Sequence, residues 1–261
     1  MSIHYFDTLA STQQHCELLD LNQVEEFTCF CARTQTAGIG QRGNHWEAAP
    51  GQNLTFTLVL HPTFLPVAAQ FCLTQALSLG ITDWLQPLLP QNLKTSKPQN
   101  LLSNLSTLHS PLSTLSIKWP NDIYVGDRKI CGILTSVRVQ GGRIAHAISG
   151  IGLNVNQTVF PDWVPNPISL SLLTGKQYTL DTLLPSLIDS IRNRYEALRE
   201  GADMEDDYLS LLYRRGIPSP FRYQGKNIIA TILGVNDFGH LQLVTNGGEP
   251  LSCQLKEIQF L

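Results

Sequence analysis

Three short segments of this 261-residue chain carry the residue types that acyl or phosphoryl chemistry requires. The first is Gln35-Thr36-Ala37-Gly38-Ile39-Gly40-Gln41-Arg42-Gly43, followed by Trp46. Its closely spaced glycines let the backbone approach a ligand and turn amide N–H groups toward an anion. Arg42 beside them suits a carboxylate or a phosphate. No Gly-Lys-Ser/Thr follows, so this is not a P-loop, and a polar loop rather than a helix follows, so it is not a dinucleotide fingerprint. Taken alone, the segment reads as an ordinary loop. The second is Lys118-Trp119-Pro120-Asn121-Asp122, continued by Asp127-Arg128-Lys129-Ile130-Cys131-Gly132-Ile133-Leu134. Lys118 ends a predicted strand and Pro120 stops its ladder. Asn121 and Asp122 then stand at a strand end, where polar side chains face a cleft. Lys129 borders an apolar run, and Gly132 within that run suits a close backbone or ligand approach. The bland reading is a hairpin with a charged tip. The third is Gly150-Ile151-Gly152-Leu153-Asn154. Two glycines at a strand end fit either a ligand lying flat on the backbone or a tight turn.

The elements around these segments follow from periodicity and punctuation. Ser11 or Thr12 is placed to cap a helix over 13–21. Residues 27–33, 54–60, 116–119 and 145–151 read as strands, and 123–125 with 130–139 as a hairpin around Gly126-Asp127. Helical spacing covers 66–84, 179–199 and, briefly, 208–213. Residues 86–113, rich in Leu, Ser, Asn, Pro and Gln, read as an inserted surface loop. From Ile217 the pattern changes to short strands with turns at 224–225, 236–239 and 246–248, which suggests a small appended β-barrel.

Bulk properties narrow the class. Hydrophobic residues make up 43% and charged residues 15% of the chain, ordinary for a globular protein with a sizeable core. A formal charge of −3 gives no basic excess for a nucleic-acid partner. No apolar run is long enough to span a bilayer, and residues 1–10 resemble neither a signal nor a transit peptide. Six cysteines are scattered without a C-x-x-C; Cys29 and Cys31 fall on one face of a strand and read as small core residues in a reducing compartment. A cytoplasmic protein is expected.

Together, in this order, the segments resemble the catalytic domain of the biotin–protein ligases. That family's glycine loop reads roughly Q-x-A/S-G-x-G-R-x-G-x-x-W, matched here at Gln35, Ala37, Gly38, Gly40, Gly43 and Trp46. K-W-P-N-D stands intact at 118–122, R-K-x-x-G-I-L at 128–134 and G-x-G-x-N at 150–154. Residues 234–241 are similar to the G-x-D-x-x-G-x-L turn of the family's SH3-like barrel. The resemblance leaves out only the insertion. It departs at Gln41 and Ile39, where arginines are common, and at Gln13, where asparagine usually follows Ser-Thr.

The resemblance implies an α+β fold: a mixed, largely antiparallel sheet with helices packed on it in residues 1–213, and a small SH3-like barrel in 214–261. It implies ATP-dependent formation of biotinyl-5′-AMP and transfer of biotin to a lysine of a biotin carboxyl carrier protein, with Mg2+ shielding the phosphates. Lys129 bridges the carboxylate and α-phosphate, assisted by the amides of 39–41, and Asp122 orients or deprotonates the incoming lysine. Biotin is expected to meet Ser11, Thr12, Gln13, Gln35, Ile39, Gly40, Gln41, Lys129, Gly132, Gly150 and Gly152. The nucleotide is expected to meet Gly38, Arg42, Trp46, Lys118, Asn121 and Asn154. No resident metal site, nucleic-acid partner or membrane contact is expected. The family's regulatory members carry a DNA-binding module before the Ser-Thr pair; this chain resembles the purely enzymatic members. Oligomeric state stays open, a homodimer included. Two alternatives remain at this point: a lipoate or octanoate ligase, and a non-catalytic biotin-binding protein.

Overall fold

A computed structural model describes residues 2–90 and 115–261, apart from the side chain of Arg42. A seven-stranded sheet runs in the order β1-β2-β3-β7-β6-β5-β4. Its strands are β1 (Ile3–Leu9), β2 (Thr28–Gln35), β3 (Leu54–Leu60), β4 (Leu115–Lys118), β5 (Asp122–Val125), β6 (Arg128–Gln140) and β7 (Arg143–Leu153). The β1–β2 pair is parallel and every other neighbour is antiparallel, so the expected mixed, largely antiparallel sheet is present. The strand β1 was not anticipated. It is an edge strand with mostly exposed side chains, so its sequence carries little of the apolar alternation that marks a strand.

Alternation divides the sheet into two faces with different tasks. Cys29 and Cys31, Phe56 and Leu58, Ile133, and Ile151 and Leu153 point into the main core. That face is covered by α2 (Gln70–Leu88) and α4 (Leu180–Arg199). The helices approach so closely that a Cβ on Gly80 would stand 2.6 Å from Ile191 Cα, and Ser190 donates to the Gly80 carbonyl at 2.8 Å. As expected, both strand cysteines are free and buried; burial pushes the Cys31 thiol up to about 12. On the other face Phe30, Val59 and Ile148 form a small second core with Cys16 and Leu21. Cys16 belongs to α1 (Thr12–Glu17), which Ser11 caps through a hydrogen bond from the Gln14 amide. This face, covered over Phe30, Val59 and Ile148 by α1 and the turn at Leu21, leaves room for the site.

Several boundaries differ from the sequence expectation: α1 ends at Glu17 and not at 21, and α2 starts at Gln70 and not at 66. Leu85 and Leu89 are buried and carry α2 past Trp84 to Leu88, so residues 86–88 are helical; residues 91–113 of the expected insertion lie outside the described residues. The short helix expected at 208–213 is α5 (Glu205–Ser210). Its acidic first turn favours the helix N-terminus, while residues 211–213 bond to the edge strand: Ile117 N to Leu211 O at 2.8 Å and Tyr213 N to Ile117 O at 2.9 Å. Unforeseen α3 (Leu170–Thr174) is capped by Ser169 and ended by left-handed Gly175. The C-terminal part forms a second sheet, β11-β10-β9-β8-β12, from β8 (Ser219–Tyr223), β9 (Lys226–Val235), β10 (Leu241–Thr245), β11 (Pro250–Cys253) and β12 (Ile258–Phe260). Among the described residues no helix is long and apolar enough to cross a membrane.

Candidate active site

The three segments converge on one cavity of about 1290 Å³. That exceeds the roughly 300–1,000 Å³ usual for one small-molecule site, which suits two substrates side by side. Its floor is the middle of β6 and β7. Gly132 and Gly152 are cross-strand partners, and Gly150 shares their face. The strand β7 continues to Leu153, so these glycines lie inside a strand and the tight-turn reading fails. What lies flat there is Trp46. A Cβ on Gly152 would come within 2.2 Å of its indole, and one on Gly132 within 3.1 Å. The indole N–H is buried without a partner among the described residues.

The glycine loop delivers Trp46 by folding back as a small hairpin. Ile39 bridges His45, Gly40 N–H donates to Asn44 O at 2.6 Å, and Trp46 N–H donates to Gly38 O at 3.0 Å. A Cβ on Gly38 would stand 2.5 Å from the Trp46 carbonyl oxygen. Gly38 therefore serves loop closure and is not on the cavity wall. Of the amides 39–41 expected to face an anion, that of Gly40 is already engaged.

At one end of the cavity the groups are neutral and polar. Gln35 Oε1 accepts the Thr12 N–H at 2.8 Å and the Thr12 hydroxyl at 3.1 Å. Thr57 donates its hydroxyl to Thr12 Oγ1 at 2.9 Å. Ser11, Thr12 and Gln13 are all nearly inaccessible. Thr57 was missed in the sequence, although two threonines on one face of an otherwise apolar strand, LTFTLVL, were its signal.

Opposite lie the charges. Lys129 Nζ pairs with Asp122 at 2.8 Å, both side chains 28% exposed, and lies 5.6 Å from the centre of the Trp46 ring. Lys118 sits between the rings of Tyr124 and Phe260, 5.0 and 4.9 Å from their centres. Burial lowers the pKa of its ammonium, against the opposing pull of Asp122. Phe260 comes from β12, and Leu255, Lys256 and Ile258 also line the wall, so the second sheet completes the site. Trp119 fixes that sheet: its indole N–H donates to Gly239 O at 2.9 Å. Phe160 and Trp163, from the loop after β7, line a further side; no sequence signal separated them from ordinary loop aromatics.

Of the expected nucleotide contacts, Gly38 serves the loop, Trp46 lies instead on the glycines expected to meet biotin, and Asn121 and Asn154 have other engagements. Asn121 is buried, donates to Ile133 O at 2.9 Å and accepts from Gln41 Nε2 at 3.2 Å, so it ties the glycine loop to β6 and does not line the cavity. Asn154 lines it, but its amide nitrogen serves Ile168 O at 3.0 Å, leaving a buried Oδ1 unpartnered. Arg33 points elsewhere, to Asp181 at 3.2 Å and Asp7 at 3.8 Å. Among the described residues no group of three or more His, Cys, Asp or Glu is arranged to hold a metal ion.

A mixed sheet thus carries one large cavity with neutral polar groups at one end and a lysine–carboxylate pair at the other. The sequence profile of the biotin/lipoate A/B protein ligase family matches residues 5–154, and the chain belongs to that family. It is 28% identical over 249 residues to the bifunctional ligase/repressor BirA of Bacillus subtilis, covering 94% of this chain and 70% of that protein. It is 28% identical over 221 residues to the biotin–[acetyl-CoA-carboxylase] ligase of Paracoccus denitrificans, covering 81% and 82% of the two chains. The biotin protein ligase of Aquifex aeolicus, solved with biotin and ATP, superposes with a TM-score of 0.75 at 21% identity, over 100% of this chain and 98% of that one; this last likeness is one of fold.

Proposed function

We propose that the chain is an ATP-dependent biotin–protein ligase. The observation that carries this is the Lys129–Asp122 pair facing the same cavity as the Ser11–Thr12–Gln35 network. The first step joins two anions. A biotin carboxylate oxygen attacks the α-phosphorus of ATP, and pyrophosphate leaves with the bonding pair. Lys129 offsets the repulsion by lying between the two groups, and a fixed cation in a partly enclosed site does so without solvent reorganisation. In the second step the amine of a carrier-protein lysine attacks the acyl carbon and AMP leaves. Asp122 would take the proton that the amine gives up.

The neutral end would hold the ureido ring, through Ser11, Thr12, Gln13 and Gln35, with Gly150 giving it room. Trp46, on Gly132 and Gly152, would flank the acyl chain. Ile39, Gly40 and Gln41 close over that chain. Lys118 and Asn154 would face the nucleotide, with Arg42 a further phosphate partner. Magnesium would be held mainly by phosphate oxygens, as is usual for nucleotide-bound Mg2+, with Glu47 and Asp122 the carboxylates on the wall. We assign residues 214–261 to a separate SH3-like barrel. With a formal charge of −3, its macromolecular partner is the biotin carboxyl carrier protein and not nucleic acid.

The test is pyrophosphate release from ATP with biotin, lipoate or octanoate as the acid. Release with biotin alone is expected. Release only with lipoate or octanoate would replace the substrate, and tight biotin binding without release would make the protein a binder.

A further inference from the structure

Three side chains line up across β6, β7 and the end of β3, at the other end of β6 from Lys129. Arg138 and His146 are cross-strand partners. Leu60 pairs with Ala147, which sets the next residue, His61, opposite His146. The two imidazoles meet edge to face, their centroids 4.9 Å apart and their planes at 83°. His61 Nε2 and His146 Nδ1 are both buried without a partner among the described residues. Neutral rings can leave these nitrogens as bare lone pairs, whereas a proton added there becomes a buried donor without an acceptor, which is costly. Burial, His61 and Arg138 lower the pKa of His146, against the pull of Asp20. The other carboxylates close by are engaged: Glu26 by Tyr195, Arg199 and the His61 amide, and Glu17 by the Ser136 hydroxyl at 3.4 Å.

Arg138 has a second contact. Its guanidinium donates to the Glu17 carbonyl at 2.7 Å. Glu17 is the last residue of α1, so this carbonyl has no partner within the helix. A helix of six residues is marginal on its own. Its polar ties are the Ser11 cap, the Gln13 amide on Ser136 and Ile148, and Arg138 at the finish. The start of the same helix lines the cavity through Thr12 and Gln13. Protonating His146 sets like charges side by side across two strands, which is destabilising, and Arg138 relieves it by leaving Glu17.

We infer that Arg138 is a positioning residue for the acid-binding end of the cavity, and that a proton taken up by the His61–His146 pair releases α1 and weakens binding of the acid. The inference rests on the biotin reading and adds a pH dependence to that site. The packed arrangement holds the His146 proton less readily than an ordinary imidazole of about 6.5. It is therefore favoured above that pH and loses ground as the pH falls through the lower value of the packed state.

The experiment is calorimetric binding of biotin to the full chain at about pH 7.5 and about pH 5.5, a range that spans the imidazole titration, at one ionic strength. Wild type is compared with His146→Gln and Arg138→Met; every other titrating group is common to the three proteins. Wild type should bind biotin about threefold or more weaker at the lower pH. His146→Gln should match wild type at the higher pH and keep its affinity at the lower one. Arg138→Met, which keeps the apolar stem without the donor, should bind about threefold weaker already at the higher pH and fall no further. If His146→Gln does not fold, His61→Gln takes its place with the same expected flattening, because its amide oxygen can accept the added proton. A wild-type affinity that does not change with pH, or one whose fall persists in the histidine variant, overturns the inference and leaves the biotin reading standing. Wild type that binds no biotin at either pH overturns the biotin reading and the inference with it.

Discussion

Replacing Lys129 with alanine should stop activation of the acid while sparing the fold. The ammonium is 2.8 Å from Asp122 with both side chains 28% exposed. In such a setting one cation about 4 Å from one anion contributes roughly 4 kcal/mol at an effective dielectric near 20. The Asp122 carboxylate already neutralises part of that charge, which leaves about 3 kcal/mol for the crowded carboxylate and phosphate. The rate of adenylate formation should therefore fall about a hundredfold or more. The stability loss should stay near 1 kcal/mol or below, because a partly solvated ion pair contributes little to folding. Biotin-dependent ATP–pyrophosphate exchange reads the first quantity and thermal unfolding the second. Asp122→Asn separates the roles further: it should slow transfer from preformed biotinyl-AMP more than it slows exchange. A folded Lys129→Ala protein whose exchange rate stays within about threefold of wild type would refute the placement of Lys129 between the two anions.

Gly152→Ala puts a methyl carbon 2.2 Å from the Trp46 indole, so the ring must leave the strand; overpacking of this kind costs about 1–3 kcal/mol, and both Tm and biotin affinity should drop. Trp119→Phe removes the hydrogen bond to Gly239 O, which should cost about 1 kcal/mol and raise KM for ATP more than for biotin, because the second sheet supplies Phe260 beside Lys118; equal changes in both KM values would refute that link. Gln41 now hydrogen-bonds Asn121 and brings no charge to the site, and Arg33 is committed to Asp181; Gln41→Arg should slow dissociation of biotinyl-AMP about tenfold, as expected for a charge-assisted contact of roughly 1.5–3 kcal/mol, and reduce stray labelling of a bystander protein. Burial pushes the Glu26 carboxyl up, but hydrogen bonds from Tyr195, Arg199 and the His61 amide outweigh it and leave the pKa lowered. Its stabilising share is thus fully present above the unfolded value of about 4.3 and is lost as pH falls through the lower folded value. Glu26→Gln should flatten the loss of stability in that acid range, followed by chemical denaturation against pH.

Much of this arrangement was legible because the chemistry-bearing segments are contiguous. Lys118 to Asp122 and Lys129 to Gly132 are joined by a hairpin whose turn, Gly126-Asp127, marks itself, so both segments were expected at one site; the Lys129–Asp122 pair was not foreseen, because the bulged register sets Lys129 opposite Tyr124. The faces of β2 and β3 followed from alternation, which is why Cys29 and Cys31 were rightly placed in the core. What escaped depended on distance along the chain. Phe260 reaches Lys118 only because Trp119 holds the turn at Gly239, and no local pattern encodes that docking. The loop residues Phe160 and Trp163 join the wall by tertiary placement alone. Asn121 read as a ligand contact because a polar residue at a strand end usually faces solvent or a cleft. Here the bulged β5–β6 pairing turns its amide onto Ile133 instead. Thr57 was the exception, visible in the strand pattern and overlooked, because polar residues in an apolar run read as tolerated rather than as used.

The central claim is transfer of biotin to a protein lysine through an adenylate made in this cavity. The most direct measurement is intact-protein mass spectrometry of a biotin carboxyl carrier domain incubated with the chain, biotin and ATP, beside the same domain with its acceptor lysine changed to arginine. One biotinyl group on the unaltered domain, none on the altered one, and none when ATP is left out is the predicted result. An unmodified carrier domain, in a preparation that binds both biotin and ATP, would contradict the account.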